Sequence, residues 1–587
     1  MLGRCLGSFH GLATLVCWWL RRCPFIGVPS MRTFKQALGL VPRFRTANLK
    51  NLSHWRPQCS VEWLILMTSI FFALACNGLF WSSALGVQSS LRMGTSVLLF
   101  LVGIHSLLLS LVVWRWNARV LLAVLFVASA LATHYMRSFH IYLDSSMLRN
   151  VLATDFKESR ELLTPALIAP LSQLAVVPII LLWRIRLVGR TWLKATVWRM
   201  GLMLFSALMI SVGVMLSFQD MSALMRNHRE VRYLITPGNY LVGLPKALKG
   251  SSITQSAEKK TIGADAVATV RPEGSRPRLL VFVVGETARA QNWGLNGYAR
   301  ETTPQLAQIG VINFSDMHSC GTNTEVSVPC MFSSFGRRNY DEDKIRSHQS
   351  LLHVLERAGI TTLWRDNQSG CKGVCDGLEN QRLGNAQSPS LCVDGRCFDE
   401  ILLEDLPAQA RKIPGDRVIF LHQIGNHGPS YFQRYPAAYR KFIPTCDTPE
   451  MGKCTREQIV NSYDNAILYT DHFLSRAIKQ LQGLSDYDTA MIFVSDHGES
   501  LGEKGLFLHG MPYAIAPQEQ TRVPLVMWFS STFTQSRGLN IGCLSERARS
   551  YADHDALFSS VLGLMQVKTS EYDRNFDFFF GCDDKNI

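Results

Sequence analysis

Ala490-Met491-Ile492-Phe493-Val494-Ser495-Asp496-His497-Gly498-Glu499-Ser500 is an apolar run that stops at adjacent Asp and His, then Gly. This is the pattern of a buried strand delivering two metal ligands to the carboxyl edge of a sheet. A second apolar run, Leu279–Val284, ends in Gly285-Glu286-Thr287. Two apolar strands that each end in an acid predict one oxygen- and nitrogen-rich metal site in an α/β domain. The competing reading, a helix cap at Asp496 and His497, loses weight with each segment added below.

Outward from these runs, the chain after about residue 277 alternates strand-like segments (Leu279–Val284, Arg417–Leu421, Met491–Val494) with helix-like ones (Gln349–Ala358, Ile459–Leu481). That alternation predicts a largely parallel central sheet. Ligands of such sheets gather at the carboxyl ends of strands, so Glu286, Gly425-Asn426-His427-Gly428 and Asp496-His497 should converge. The nucleophile is sought in Cys320-Gly321-Thr322-Asn323-Thr324-Glu325-Val326-Ser327-Val328-Pro329-Cys330. Thr324 falls near the amino terminus of an expected helix, where backbone N–H groups favour an anion. A metal ion held by Glu286, Asp496 and His497 would lower the hydroxyl pKa further. Thr322 is the fallback, and either threonine could instead be only an N-cap.

The amino-terminal part has a different character. Five apolar stretches, near Val61–Leu85, Thr95–Trp114, Val120–Met136, Pro165–Trp183 and Gly201–Phe218, approach membrane-spanning length, the third being short for it. Arg115 and Arg119 follow the second stretch, and Arg184, Arg186, Arg190, Lys194 and Arg199 follow the fourth, which places both loops inside. Everything after Phe218 then lies outside. The net charge of +14 is concentrated in features of this kind: residues 1–61 hold nine basic residues and no acid. It is a basic flank to a span, and it argues against nucleic acid as a partner. Gly11–Leu20 is too short to span, and Met31 is an alternative start.

Ten cysteines follow Phe218, in the local pairs Cys320/Cys330, Cys371/Cys375, Cys392/Cys397 and Cys446/Cys454, with Cys543/Cys582 left over. An even, closely spaced set suits an oxidising compartment. A zinc cluster built on the Cys371 and Cys392 doublets is the alternative, disfavoured by the scarcity of His between them. Phe218–Gly250 mixes apolar and basic residues as a membrane-surface helix would, and Lys249–Arg278 has a linker composition.

Val284-Gly285-Glu286-Thr287-Ala288-Arg289, Asn296-Gly297-Tyr298, the Cys320–Cys330 segment, Trp364-Arg365-Asp366-Asn367, Gly425-Asn426-His427-Gly428-Pro429, Ser495–Ser500 and Leu508-His509-Gly510 together closely resemble the bacterial phosphoethanolamine transferases, above all the lipid A-modifying group that includes the mobile colistin-resistance enzymes. The resemblance runs from about the first span to the last strand. It implies a five-helix transmembrane domain in the bacterial inner membrane and an α/β periplasmic domain of alkaline phosphatase/sulfatase-like fold. The expected division is a basic cytoplasmic segment over 1–60, spans over 61–218, an interfacial helix and linker over 219–276, and the catalytic domain over 277–587.

The resemblance also implies the chemistry. Zinc would be held by Glu286, Thr324, Asp496 and His497, with Thr324 as nucleophile carrying a phosphoethanolamine intermediate. His427 and His509 match positions that bind a second zinc or the substrate phosphate, and one of them would handle the proton of the departing alcohol. Asn367, Ser369 and Lys372 match a substrate-binding loop, His422 a further histidine near the site, and Asn150, Thr154 and Glu158 a donor-headgroup site. From the i, i+4, i+8 spacing, those last three should share one helix face. Phosphatidylethanolamine is the implied donor, a lipid A phosphate of lipopolysaccharide the implied acceptor, polymyxin resistance the consequence, and a monomer among membrane lipids the expected state. Kdo or core heptose are alternative acceptors, and a phosphoglycerol transferase or sulfatase is the alternative on the same fold. A sulfatase needs Cys/Ser-x-Pro-x-Arg, which the Thr324 segment lacks. Glu499 and Glu503 read as solvated loop acids. Gln368 departs from the Asn common in relatives, and only some members share the Cys371/Cys375 pair.

Overall fold

A computed structural model of the chain describes residues 56–87, 90–154, 156–227, 229–254, 259–384, 386, 388–393 and 395–583. The basic segment, including Gly11–Leu20 and Met31, lies outside the described residues apart from its last few positions. The chain forms two compact units: Met1–Leu131 with Ala169–Asn227 and Ile235–Gly238, and Ala132–Ile168 with His228–Leu234 and Asn239–Ile587.

Among the described residues, four helices are long and apolar enough to cross a membrane: Leu91–Val112, Ala118–Phe139, Pro165–Arg184 and Trp192–Leu216. Val61–Cys76 and Gly78–Gly86, bent by 66° at Asn77, make the fifth if the pair is one span. The third stretch, short by sequence, is a full 22-residue helix. The last begins earlier than its apolar run, so Lys194 and Arg199 lie within the helix rather than in a loop. Arg199 is accommodated because its guanidinium donates to the Ser110 and Val113 carbonyls at 2.5 and 2.7 Å. Leu91–Val112 and Trp192–Leu216 approach closely at Gly213, where a Cβ would sit 2.9 Å from the Ser96 carbonyl oxygen. Small residues at such crossings replace the hydrophobic drive that lipid removes.

The second unit is built on an eight-stranded sheet. Its strands, numbered along the chain, are β1 (Arg278–Gly285), β2 (Ile312–His318), β3 (Thr361–Asp366), β4 (Asn380–Arg382), β5 (Arg417–His422), β6 (Asp488–Ser495), β7 (Arg522–Phe529) and β8 (Tyr551–Asp553). The order across the sheet is β8-β2-β7-β6-β1-β5-β3-β4. All neighbours are parallel except β7, which runs antiparallel to both β6 and β2. The central strands β1, β5 and β6 are buried along their whole length, as a sheet covered on both faces requires, which is why they read as unbroken apolar runs. Phe282, Phe332, Trp364 and Phe420 interlock on one side, with Trp364 stacked on Phe420 at 5.8 Å.

Register fixes where the strand ends fall. Ser495 pairs with Gly285, Val284 with His422, and His422 with Asp366. The residues that follow these positions therefore emerge side by side along one edge. The five expected cysteine pairs are all disulfides. That removes the zinc-cluster alternative for Cys371, Cys375, Cys392 and Cys397.

Two expectations are corrected. The segment read as a linker continues a helix to Thr254 and then docks on the sheet domain: Lys260 exchanges backbone hydrogen bonds with Ser347 and Gln349, and Val267–Ala268 pairs with Val567–Lys568. The single helix face for Asn150, Thr154 and Glu158 does not form. Helix Ser145–Ala153 stops at Thr154, whose backbone is extended, and a separate helix, Phe156–Leu162, follows. The Thr154 hydroxyl donates to the Asn150 carbonyl at 2.7 Å, closing the helix end instead of prolonging it.

Candidate active site

Glu286 follows β1, Asp496 and His497 follow β6, and the three offer metal-ligating atoms within 4.8 Å of one another. All three are fully buried. Helix Thr324–Met331 brings the hydroxyl. Asn323 is its N-cap, accepting from the Val326 N–H at 3.0 Å, so Thr324 is the first helical residue rather than the cap. The Cys320–Cys330 disulfide ties the turn to the helix. Thr324 Oγ1 donates to Glu286 Oε2 at 2.9 Å and lies 3.3 Å from His497 Nε2. The Thr322 hydroxyl donates to the Met511 carbonyl at 2.6 Å, which makes it a turn-closing group and not a second nucleophile at this site.

The electrostatics are those of a site short of positive charge. Burial pushes the Asp496 carboxyl up, to about 7, and the neighbouring Glu286 charge adds to the effect. Burial alone would lift Glu286 as well, yet the hydrogen bond and charge of His497 hold it well below the carboxylate range. Burial alone would lower His497, and the Asp496 charge and Glu286 hydrogen bond instead raise it to about 10. Glu286 Oε1 and Asp496 Oδ2 are buried without a hydrogen-bond partner among the described residues. His497 Nδ1 sits 3.0 Å from the Gly498 carbonyl, a contact that needs its proton there and leaves Nε2 for the cluster. Two carboxylate oxygens that face only His497 Nε2, each at 3.4 Å, and one oriented imidazole suit a divalent cation of the zinc type.

The remaining residues sort into layers around this cluster. His427 and His509 have ring centroids 5.6 Å apart, and His509 lies 4.4 Å from His497. His509 Nδ1 is 2.8 Å from Glu499 Oε2. Burial lowers its pKa below the usual imidazole value, against the opposing pull of the Glu499 charge. His422 Nδ1 is 2.7 Å from Asp366 Oδ1. Lys372, at φ 51°, donates to the Ser369 hydroxyl and stands 3.7 Å from Glu325 Oε2. Asn367 turns its amide to the Cys397 carbonyl and Asp399, at 3.0 and 2.8 Å. Asn150 and Thr154 are half-buried on and after the Ser145–Ala153 helix. The Glu158 side chain lies outside the described residues.

Glu499 and Glu503 correct the sequence reading. Glu499 is fully buried, taking the Tyr431 hydroxyl as well as His509. Glu503 joins Arg289 and Arg456, each at 2.9 Å. Sequence reasoning also missed Asp399, whose carboxylate accepts the Ile424 and Gly425 N–H groups at 2.8 and 2.9 Å and so fixes the loop carrying His427. No motif signals that role. Gln368 donates to Glu286 Oε2 at 3.3 Å, which supplies a place for the departing side chain. Gly425, at φ 49°, permits the loop to lie on Glu286: a Cβ there would be 2.6 Å from the Glu286 carbonyl oxygen. Thr287 also has positive φ, 53°, an uncommon state for a β-branched residue, immediately after a ligand.

Comparison with known proteins agrees with this geometry. Residues 101–251 match the family "Phosphoethanolamine transferase EptA/EptB", and residues 278–567 match "Sulfatase". The chain is 36% identical to phosphoethanolamine transferase EptA of Escherichia coli (strain K12) over 539 residues, 90% of this chain and 98% of the relative. It is 36% identical to phosphatidylethanolamine transferase Mcr-1 of Escherichia coli, over 88% of this chain and 97% of the relative. It superposes on the integral membrane lipooligosaccharide phosphoethanolamine transferase A of Neisseria meningitidis with a TM-score of 0.86 at 38% identity, covering 90% of this chain and 99% of that one.

Proposed function

The chain belongs to the EptA family of phosphoethanolamine transferases, and from that premise we propose that it moves phosphoethanolamine from phosphatidylethanolamine to a phosphate of lipid A. It does so from the periplasmic side of the bacterial inner membrane, acting as a monomer. The observation that carries the reading is the Thr324 hydroxyl, 2.9 Å from Glu286 and 3.3 Å from His497 at the start of a helix.

Thr324 Oγ attacks the donor phosphorus, and the bond to the diacylglycerol oxygen breaks. The helix amino terminus favours the negative charge that gathers there. Glu286 accepts the hydroxyl hydrogen bond, which orients Oγ before attack, and receives the hydroxyl proton as the bond to phosphorus forms. Glu286, Thr324, Asp496 and His497 would hold zinc, which when bound lowers the hydroxyl pKa and offsets charge on the phosphoryl oxygens. His509 packs on His497 and His427 on His509, and one of the two protonates the departing diacylglycerol oxygen. An acceptor phosphate oxygen then attacks the phosphothreonine, its proton passing to the histidine that served the first step; Thr324 leaves and takes its proton back from Glu286, and the enzyme is restored. Asn150, Thr154 and Glu158 hold the donor headgroup, while Ser369 and Lys372 with Asn367, and His422 behind them, line the approach to phosphate.

The product carries an ammonium where lipid A presented a bare phosphate, which weakens attraction for polymyxins and other cationic peptides. Mass spectrometry of lipid A from cells with and without the protein tests the reading. A phosphoethanolamine addition that depends on the protein is expected; lipid A of unchanged mass at good expression would refute it.

A further inference from the structure

Within the second unit lies a cavity of about 920 Å³. Gln368, the residue that donates to Glu286, is on its wall, so one side chain separates the cavity from the Glu286–Thr324 pair. Its wall also carries Arg160, Arg382, Arg396 and Arg434, faced by one carboxylate, Glu161, among the described lining residues.

Two of the arginines are built in. Glu161 is buried and bridges Arg396 at 2.7 Å and Arg434 at 2.8 Å. Arg434 Nε also donates to the His427 carbonyl at 2.7 Å, which fixes the wall to the loop bearing that histidine. The other two stand differently. Arg160 and Arg382 are exposed and form no ion pair among the described residues. The Arg382 guanidinium lies against Gly370, where a Cβ would meet it at 3.3 Å, in the same loop as Gln368 and Ser369. The cavity therefore combines two anchored guanidiniums that share the single carboxylate of Glu161 with two that have no ion pair among the described residues.

The donor headgroup is a poor match for this excess. It is a zwitterion whose phosphate goes to Thr324 and whose ammonium the arginines repel. An acceptor bearing a second anionic group beyond the phosphate to be modified is a good match, because guanidinium forks pair with phosphate or carboxylate in two-point fashion. The geometry points to this cavity as the acceptor site, with Arg160 and Arg382 holding an additional anion of the acceptor, either a second phosphate or a sugar carboxylate. The inference rests on the transferase reading above and names the class of acceptor for it.

The test uses purified full-length protein in detergent with phosphatidylethanolamine as donor. Three acceptors are compared: monophosphoryl lipid A, bisphosphoryl lipid A, and bisphosphoryl lipid A carrying acidic sugars. The wild type should favour at least one polyanionic acceptor over the monophosphoryl form by about tenfold or more in kcat/KM, and that preference should shrink with added salt. In the Arg160→Ala/Arg382→Ala double variant, with its melting temperature checked against the wild type, the preference should fall to about unity. Preference lost on the bisphosphoryl arm identifies the second phosphate, and on the acidic-sugar arm alone the carboxylate. A wild type that transfers equally to all three acceptors, or a double variant that keeps the preference, overturns the inference. A wild type that does not cleave the donor at all overturns the transferase reading instead.

Discussion

The sheet edge and the Ser145–Leu162 segment hold their polar residues in opposite ways. At the edge, Glu286, Asp496 and His497 follow strands whose register is locked by neighbours on both sides, and Thr324 comes from a helix start tied by the Cys320–Cys330 disulfide. In the segment, two short helices meet at Thr154, whose hydroxyl closes the first of them onto Asn150, while the residues tied to distant elements by ion pairs are Arg149 and Glu161. The difference separates chemistry that demands sub-ångström placement from recognition of a headgroup that can adjust. Substitutions at the edge should consequently cost far more than those in the segment.

The largest effect is expected at the nucleophile. Thr324→Ala should reduce transfer by about three orders of magnitude or more while circular dichroism and melting stay near wild type. Thr322→Ala, which removes only a hydroxyl bonded to a carbonyl, should cost about 1 kcal/mol of stability and retain transfer. Equal losses from the two would break the assignment.

Next comes the metal. Glu286→Ala, Asp496→Ala and His497→Ala should each lose bound zinc and activity together, and His427→Ala and His509→Ala should lose activity while keeping part of the zinc, as elemental analysis against assay would show. The pH dependence has a defined sign. Metal must displace the proton from His497, raised to about 10, and below about 7 also one from Asp496. Calorimetric affinity should fall by about tenfold per pH unit near pH 8 and more steeply below pH 7. An affinity flat from pH 6 to 8 would contradict that charge balance.

A smaller loss, about 10- to 100-fold, is expected for Glu499→Gln, because Glu499 acts through the ring of His509. The Glu499→Gln pH–rate profile should shift with the imidazole, which a merely structural role would leave in place. The smallest effect is reserved for Glu158→Ala, about tenfold or less on transfer from intact lipid. Wild-type transfer by Glu158→Ala would remove the donor role from that position and sharpen the contrast with the edge.

What was legible in the sequence follows the same divide. The apolar runs at 279–284 and 490–494 announced the sheet and its ligands, because a doubly buried parallel strand leaves no polar residue inside and its end is abrupt. Four of the cysteine pairs were legible from spacing, since closely spaced partners close short loops, and Cys543–Cys582, 39 residues apart, only as the remainder. Glu499 was not, because a glutamate in a Gly-rich loop looks the same whether solvated or buried against His509; only tertiary packing distinguishes them. The break at Thr154 was hidden too: nothing in Asn150–Glu158 forbids a continuous helix, and the stop is set by the extended backbone there. The docking of Lys260 on Ser347 was masked by a composition that suits a flexible tether.

The central claim is that Thr324 carries the phosphoethanolamine. Purified protein incubated with phosphatidylethanolamine in the absence of acceptor, quenched in acid and digested, can be read by peptide mass spectrometry. The account predicts a phosphoethanolamine adduct on Thr324, discharged when lipid A is added before the quench. An adduct on another residue that turns over in the same way, or transfer with no protein adduct at any time, would contradict it.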